Sequence, residues 1–116
     1  FYTLAKKNKH PNPELITCEF LSERPAKFFG IWPKKGAISV GSDADICVFL
    51  PKDQIWDSKN ANDELNWSPF DGCKFNGQVS KTFLRGDCVW NGKSFPFETK
   101  TGQFLPRNTS KFFDYY

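Results

Sequence analysis

Residues 35–50 read KGAISVGSDADICVFL, two short apolar runs around a Gly-Ser-Asp-Ala-Asp segment. This stretch commits the chain to β-structure, because short β-branched runs bounded by glycine are strand and turn signals. It predicts a tight hairpin of residues 37–40 with 45–50. In the link Gly41-Ser42-Asp43-Ala44, glycine supplies unusual backbone angles and the Ser and Asp oxygens bond turn amides. Asp43 and Asp45 look catalytic at first glance. One residue apart in a strand, however, they point to opposite faces, which suits turn stabilisation rather than a shared site.

The same grammar continues downstream. Residues 54–57 (QIWD) read as a strand and 58–66 as a polar loop. Trp67, Pro69 and Phe70 dock an irregular segment that Gly72 turns. Residues 78–85 and 87–90 read as strands. A hairpin between those two is not expected, since the single Gly86 does not reverse a chain. Residues 87–90 are instead expected to pair with 93–95 across Asn91-Gly92, the strongest turn signal present. Upstream, Asn12-Pro13-Glu14 is a helix start, with Asn12 able to cap and Pro13 at the first helical position. The helix runs from Pro13 to about Ser22 with Leu15, Ile16, Phe20 and Leu21 on one face. Pro25 ends it or opens a short second helix over 26–29, which Gly30 closes. A boundary near 31–34 separates the helical part from the β part.

Composition narrows the function classes. A chain of 116 residues has room for one small domain, yet it carries 13 Phe and 4 Trp, which need something to pack against. It begins at Phe1 and contains no Met, so the expectation is a piece of a longer polypeptide. The net charge of +3 comes from interspersed signs, which argues against nucleic-acid binding. The basic run Lys6-Lys7-Asn8-Lys9-His10 precedes Pro11 and Pro13 and reads as a solvated loop. Cys18, Cys47, Cys73 and Cys88 form no C-x-x-C pair and are expected as free, mostly buried thiols, which fits a reducing, cytoplasmic compartment. Two glycosylation sequons, Asn66-Trp67-Ser68 and Asn108-Thr109-Ser110, read as coincidences in that context. No apolar run approaches the roughly 20 residues that span a bilayer.

Five segments in order, PAKFFG (25–30), KGAISVGSDADICVF (35–49), WSPFDG (67–72), GQVSKTFLRGDCVW (77–90) and TGQFLPR (101–107), resemble the C-terminal end of cyclic-amide hydrolases of the amidohydrolase superfamily. The resemblance spans residues 15–107. Allantoinases are the first choice, because residues 81–90 and 101–105 are similar to the endings in that group. Dihydropyrimidinases or hydantoinases and dihydroorotases are sister candidates. The resemblance implies an α+β fragment: terminal helices of a (β/α)8 barrel over residues 1–31, strands of a composite β-sandwich over 32–97, and a tail over 98–116. It implies hydrolysis of allantoin to allantoate in purine catabolism, or of a related ring, by the whole polypeptide. Two divalent metal ions, zinc by family habit, would be held by four His, a carboxylated Lys and an Asp of the barrel.

This chain has one histidine, so it cannot build that centre, and no catalytic, cofactor-binding or metal residue is assigned to it. His10 matches no family ligand and reads as an exposed loop histidine. Arg85 reads as an ion-pair partner of Asp71 or Asp87. The implied partners are the rest of the same polypeptide, namely barrel and N-terminal sandwich strands, and further copies in a homo-oligomer; no nucleic acid or membrane is implied. The aromatic end, 112–116, suggests docking on a neighbour. A metal-free scaffold protein derived from such a hydrolase is the alternative class.

Overall fold

A computed structural model of the chain describes residues 1–61, 63–96 and 102–108. It opens with helix α1, Tyr2–Lys7. The basic run expected as loop therefore begins inside a helix. Lys6 and Lys7 occupy the last turn, where positive charge suits the negative helix end. Lys9 then takes a left-handed φ of 53°. Lys9 N–H bonds Lys6 O at 3.0 Å and His10 N–H bonds Ala5 O at 2.9 Å, which satisfies the last carbonyls.

Helix α2, Pro13–Cys18, starts where the sequence predicts, with Pro13 in its first turn. Asn12 contributes its main-chain oxygen to Ile16 N–H at 3.2 Å rather than a side-chain cap. The helical path then continues through a π-helical turn, Glu19–Glu23, into α3, Arg24–Phe28. Pro25 thus does not end the run. A proline ring crowds the carbonyl four residues back, here that of Leu21, and a turn widened to the i→i+5 pattern relaxes that crowding. Gly30 closes α3 as expected: its φ is 69°, its N–H bonds Lys27 O at 3.1 Å, and Ile31 N–H bonds Ala26 O at 2.9 Å.

The β part differs more. Strand β1, Ile46–Leu50, pairs antiparallel not with 37–40 but with β4, Gln78–Leu84, and β4 pairs with β5, Asp87–Trp90, in the order β1-β4-β5. Residues 37–40 form no strand, and Ile38 and Val40 are exposed. Their would-be turn is held elsewhere, by Asp43 N–H on Lys34 O at 2.9 Å and the Ser42 hydroxyl on Pro33 O at 2.6 Å. The β4–β5 hairpin, which is not expected from the sequence, does form. Its turn is the pair Arg85-Gly86, with Leu84 opposite Asp87. Both turn residues have positive φ, 49° and 92°, as a twist-matched two-residue turn requires. Arg85 supplies the second turn residue that the single glycine lacks. Asn91-Gly92 does turn the chain, but no strand forms over 93–95. A second ladder joins β2, Gln54–Ile55, to β3, Lys74–Phe75, within the span expected for QIWD, and a 3₁₀ turn, Ser58–Asn60, opens the loop beyond.

Among the described residues the buried hydrophobics are Tyr2, 6% exposed, and Ala26, 4% exposed. The Tyr2 ring meets Phe49 of β1 edge-on at 4.8 Å, and its hydroxyl donates to Glu14 of α2 at 2.8 Å. Next to it, Thr3 Oγ1 accepts Asn76 N–H at 3.0 Å, so α1 joins the helices to the sheet. Leu15, Phe20 and Leu21, three of the four residues expected on one apolar face, are exposed. The thiols are free as expected but not buried: Cys18, Cys47 and Cys73 are exposed and Cys88 is half-buried. The aromatic end at 112–116 lies outside the described residues.

Two glycines separate backbone strain from steric exclusion. A Cβ at Gly86 meets nothing within 4 Å, so Gly86→Ala is expected to cost only the left-handed penalty, about 1–2 kcal/mol. Gly30→Ala is expected to cost more, because its Cβ would lie 2.1 Å from Asn108 O. Urea-unfolding midpoints of the two variants check that order.

Candidate functional site

The densest constellation of charge lies around Lys35. Its ammonium group bonds Asp43 Oδ2 at 2.8 Å and also Asp45 Oδ2, while Lys34 pairs with the other Asp43 oxygen. Asp43 and Asp45 therefore converge, against the expectation of opposite faces. The reason is local: both precede β1, and a tight bond of 2.8 Å from Asp45 N–H to Asp43 O bends the chain between them. The alternation rule applies only inside a strand. Asp45 Oδ1 accepts the Arg85 N–H at 2.8 Å, and Gly86 N–H bonds Ala44 O at 3.0 Å. One carboxylate pair thus ties the segment after α3, the approach to β1 and the tip of the β4–β5 hairpin.

The electrostatics suit a clamp. Partial burial works against the Lys35 charge, but the bonds from Asp43 and Asp45 outweigh it and raise its pKa. Hydrogen bonds from Lys34 and Lys35 hold Asp43 below the usual carboxylate range. Groups shifted away from neutrality in these directions stay ionised at neutral pH and make poor proton shuttles.

A second polar centre fixes the loop between β2 and β3. Ser58 is 4% exposed, and Asp71 accepts its N–H at 2.6 Å, its hydroxyl at 2.7 Å and the Ser68 N–H at 3.2 Å. The Ser58 bonds lower the Asp71 pKa. Asp71 is thus engaged by Ser58 and Ser68, and the Arg85 main chain meets Asp45. His10 is half-buried rather than exposed, and its Nδ1 accepts the Asn12 N–H at 3.2 Å, so it belongs to the α1–α2 link. Among the described residues, the hydrogen bonds of Ser58 and Asp71 join them to each other and to Ser68 rather than to a histidine base, which suits a structural hydroxyl.

Among the described residues no three His, Cys, Asp or Glu side chains gather as a metal ion needs, so these residues do not fit a two-metal centre. An open cleft of about 400 Å³ lies where Leu105, Pro106 and Asn108 return to Trp32 and Pro33, with Asn108 N–H on Gly30 O at 2.9 Å. No described helix is long and apolar enough to cross a membrane. The convergence on Lys35 had one sequence signal, the Lys34-Lys35 pair just upstream of Asp-Ala-Asp.

The sequence pattern of the Amidohydrolase family matches residues 3–89. Among curated proteins, the chain is 36% identical over 94 residues to a D-hydantoinase of Ralstonia pickettii, covering 80% of this chain and 21% of that protein. It is 34% identical over 90 residues to a D-hydantoinase of Geobacillus stearothermophilus, covering 77% and 19%. Among solved structures, a D-hydantoinase (dihydropyrimidinase) from Thermus sp. superposes with a TM-score of 0.72 at 29% identity, covering 96% of this chain and 25% of that one. The chain thus spans about a fifth of the length of the curated relatives it matches.

The clamp has a defined pH window. Asp43, lowered by folding, contributes stability that is present above the ordinary carboxylate range and lost as pH falls through its lowered value. Lys35, raised by folding, contributes stability that is present below the ordinary lysine range and lost as pH rises through its raised value. Lys35→Gln is therefore expected to lower the urea midpoint at neutral pH, with the gap from wild type closing on acidification. A pH series of urea titrations on both proteins checks this.

Proposed function

This chain belongs to the amidohydrolase family, and from that premise we propose that it is the C-terminal part of a metal-dependent cyclic-amide hydrolase of the hydantoinase or dihydropyrimidinase type. The observation that carries the reading is the named relatives, which match most of this chain and are hydantoinases. Allantoin, the ring preferred from residues 81–90 and 101–105, gives way to hydantoin and dihydropyrimidine rings.

In this reading the described residues support the reaction without performing it. The two divalent metals, zinc by family habit, and their ligands belong to the rest of the polypeptide; no step of hydrolysis is assigned to a side chain here. Residues 1–31 would close the barrel domain, 32–97 would supply strands of the sandwich, and 98–116 would form a tail. The exposed Leu15, Phe20 and Leu21 would meet the barrel, and the open edges of β1 and β5 would meet strands from upstream. Assembly into a homo-oligomer and a cytoplasmic location remain part of the proposal.

The test is the full-length polypeptide, assayed side by side on hydantoin, dihydrouracil, allantoin and dihydroorotate, with bound metal measured on the same sample. The expected result is faster turnover of hydantoin and dihydrouracil, lost on chelation and regained on adding metal. Faster turnover of allantoin would return the assignment to allantoinase. A metal-free protein with no turnover of any ring would favour the scaffold reading.

A further inference from the structure

Asparagine followed by glycine is chemically vulnerable, because the glycine amide nitrogen can close onto the asparagine side-chain carbonyl with no Cβ in the way. The chain has two such pairs, Asn76-Gly77 and Asn91-Gly92, and the fold treats them in opposite ways. We propose that Asn91 is a site of spontaneous succinimide formation and deamidation, activated by the turn in which it sits, whereas Asn76 is protected.

Asn91, Gly92, Lys93 and Ser94 are all exposed after the end of β5. Asn91 Oδ1 accepts the Lys93 N–H at 3.0 Å and the Ser94 N–H at 2.9 Å, with the Ser94 hydroxyl 3.4 Å away. These donors face the atom on which negative charge grows when the Gly92 nitrogen attacks Cγ, which is the arrangement that stabilises an oxyanion. The leaving nitrogen, Nδ2, donates to Ser94 Oγ at 3.2 Å, so a hydroxyl that can exchange protons with it is already in contact. In the reaction the Gly92 N–Cγ bond forms, the Cγ–Nδ2 bond breaks, and ammonia leaves with the proton that the Gly92 amide gives up. Water then opens the ring at either carbonyl, giving aspartate or isoaspartate. The sum is asparagine plus water to acid plus ammonia, and no oxidant or reductant is needed.

Asn76 is held on every side. Its N–H donates to Thr3 Oγ1 at 3.0 Å and its Nδ2 to Asp53 Oδ1 at 2.8 Å. Gly77 O accepts a hydrogen bond from Gln54 Nε2 at 2.8 Å, and a Cβ on Gly77 would lie 1.9 Å from Phe49 Cζ, so this backbone is pressed against the end of that ring. Closing a five-membered ring there requires those contacts to break. At Asn91 the consequence is local: isoaspartate adds a methylene to the main chain and a negative charge to the turn that brings Phe95 back onto Trp90, whose rings lie 4.9 Å apart.

The experiment incubates the full-length polypeptide at mildly alkaline pH, natively and in urea, and maps isoaspartate by peptide mass analysis and isoaspartyl-methyltransferase labelling. In the native protein, modification at Asn91 is expected to exceed that at Asn76 by roughly tenfold, equivalent to about 1.4 kcal/mol in the barrier. In urea the two sites should converge. Ser94→Ala should slow Asn91 several-fold and leave Asn76 unchanged. Equal native rates, an unmodified Asn91, or a ratio that persists in urea would each overturn the proposal.

Discussion

Tyr2 is where the helical and β layers of this chain are joined. Its ring supplies the edge-on contact with Phe49 of β1, its hydroxyl reaches Glu14 of α2, and its neighbour Thr3 holds the Asn76 amide between β3 and β4. A tyrosine suits this position because one side chain offers both a large apolar face and a hydroxyl that can find a partner at the rim. Around it there is little else that is apolar and buried, with Ala26 the other hydrophobic below a tenth exposed among the described residues. Much of the remaining cohesion is polar and directional. Lys35 draws Asp43 and Asp45 together, Asp45 reaches the hairpin tip through the Arg85 amide, and Asp71 collects Ser58 and Ser68. Exposed ion pairs contribute modestly to stability one by one, so their main effect here is to fix geometry.

What the sequence made legible follows from how local each signal is. Pro13 at a helix start and Gly30 at a helix end act through their own backbone angles, and both are where the residue types put them. Residues 46–50, 78–84 and 87–90 are strands for equally local reasons. Pairing is not local. Residues 46–50 have an apolar neighbour at 37–40, but the stronger partner is β4, thirty residues on, and Asp43 and Ser42 hold the intervening segment against Lys34 and Pro33 instead. Arg85 was illegible for another reason. A non-glycine residue at positive φ is uncommon, so the turn becomes visible only once the Asp45 carboxylate is seen to hold the Arg85 amide.

The ionic cluster was half legible. Asp43 and Asp45 are prominent in the sequence and read as structural; Lys35 is marked only by its neighbour Lys34, a weak signal because paired lysines are ordinary surface composition. The expectation of opposite faces failed because a strand rule was applied one turn too early, to residues that bend before β1 begins. The distinction matters for function. Two carboxylates on one side of the chain are the raw material of an acid–base pair, and what makes these a clamp is the ammonium between them. With Lys34 and Lys35 bonded to it, Asp43 is held below the usual carboxylate range, away from the near-neutral value a catalytic base would need.

The same reasoning separates family from substrate in this chain. The family match covers residues 3–89, a span that includes the helix closed by Gly30 and the clamped approach to β1. Substrate choice depends on groups that touch the ring and the reacting carbonyl, and no cluster of metal-ligating side chains lies among the described residues. On the proposed function, a chain that spans about a fifth of its curated relatives, with exposed aromatic residues along the α2–α3 path and open edges at β1 and β5, would serve as a support for the rest of the polypeptide. Its contribution to hydrolysis would then be to hold the neighbouring elements rigid, since reacting groups displaced by an ångström lose much of their rate advantage.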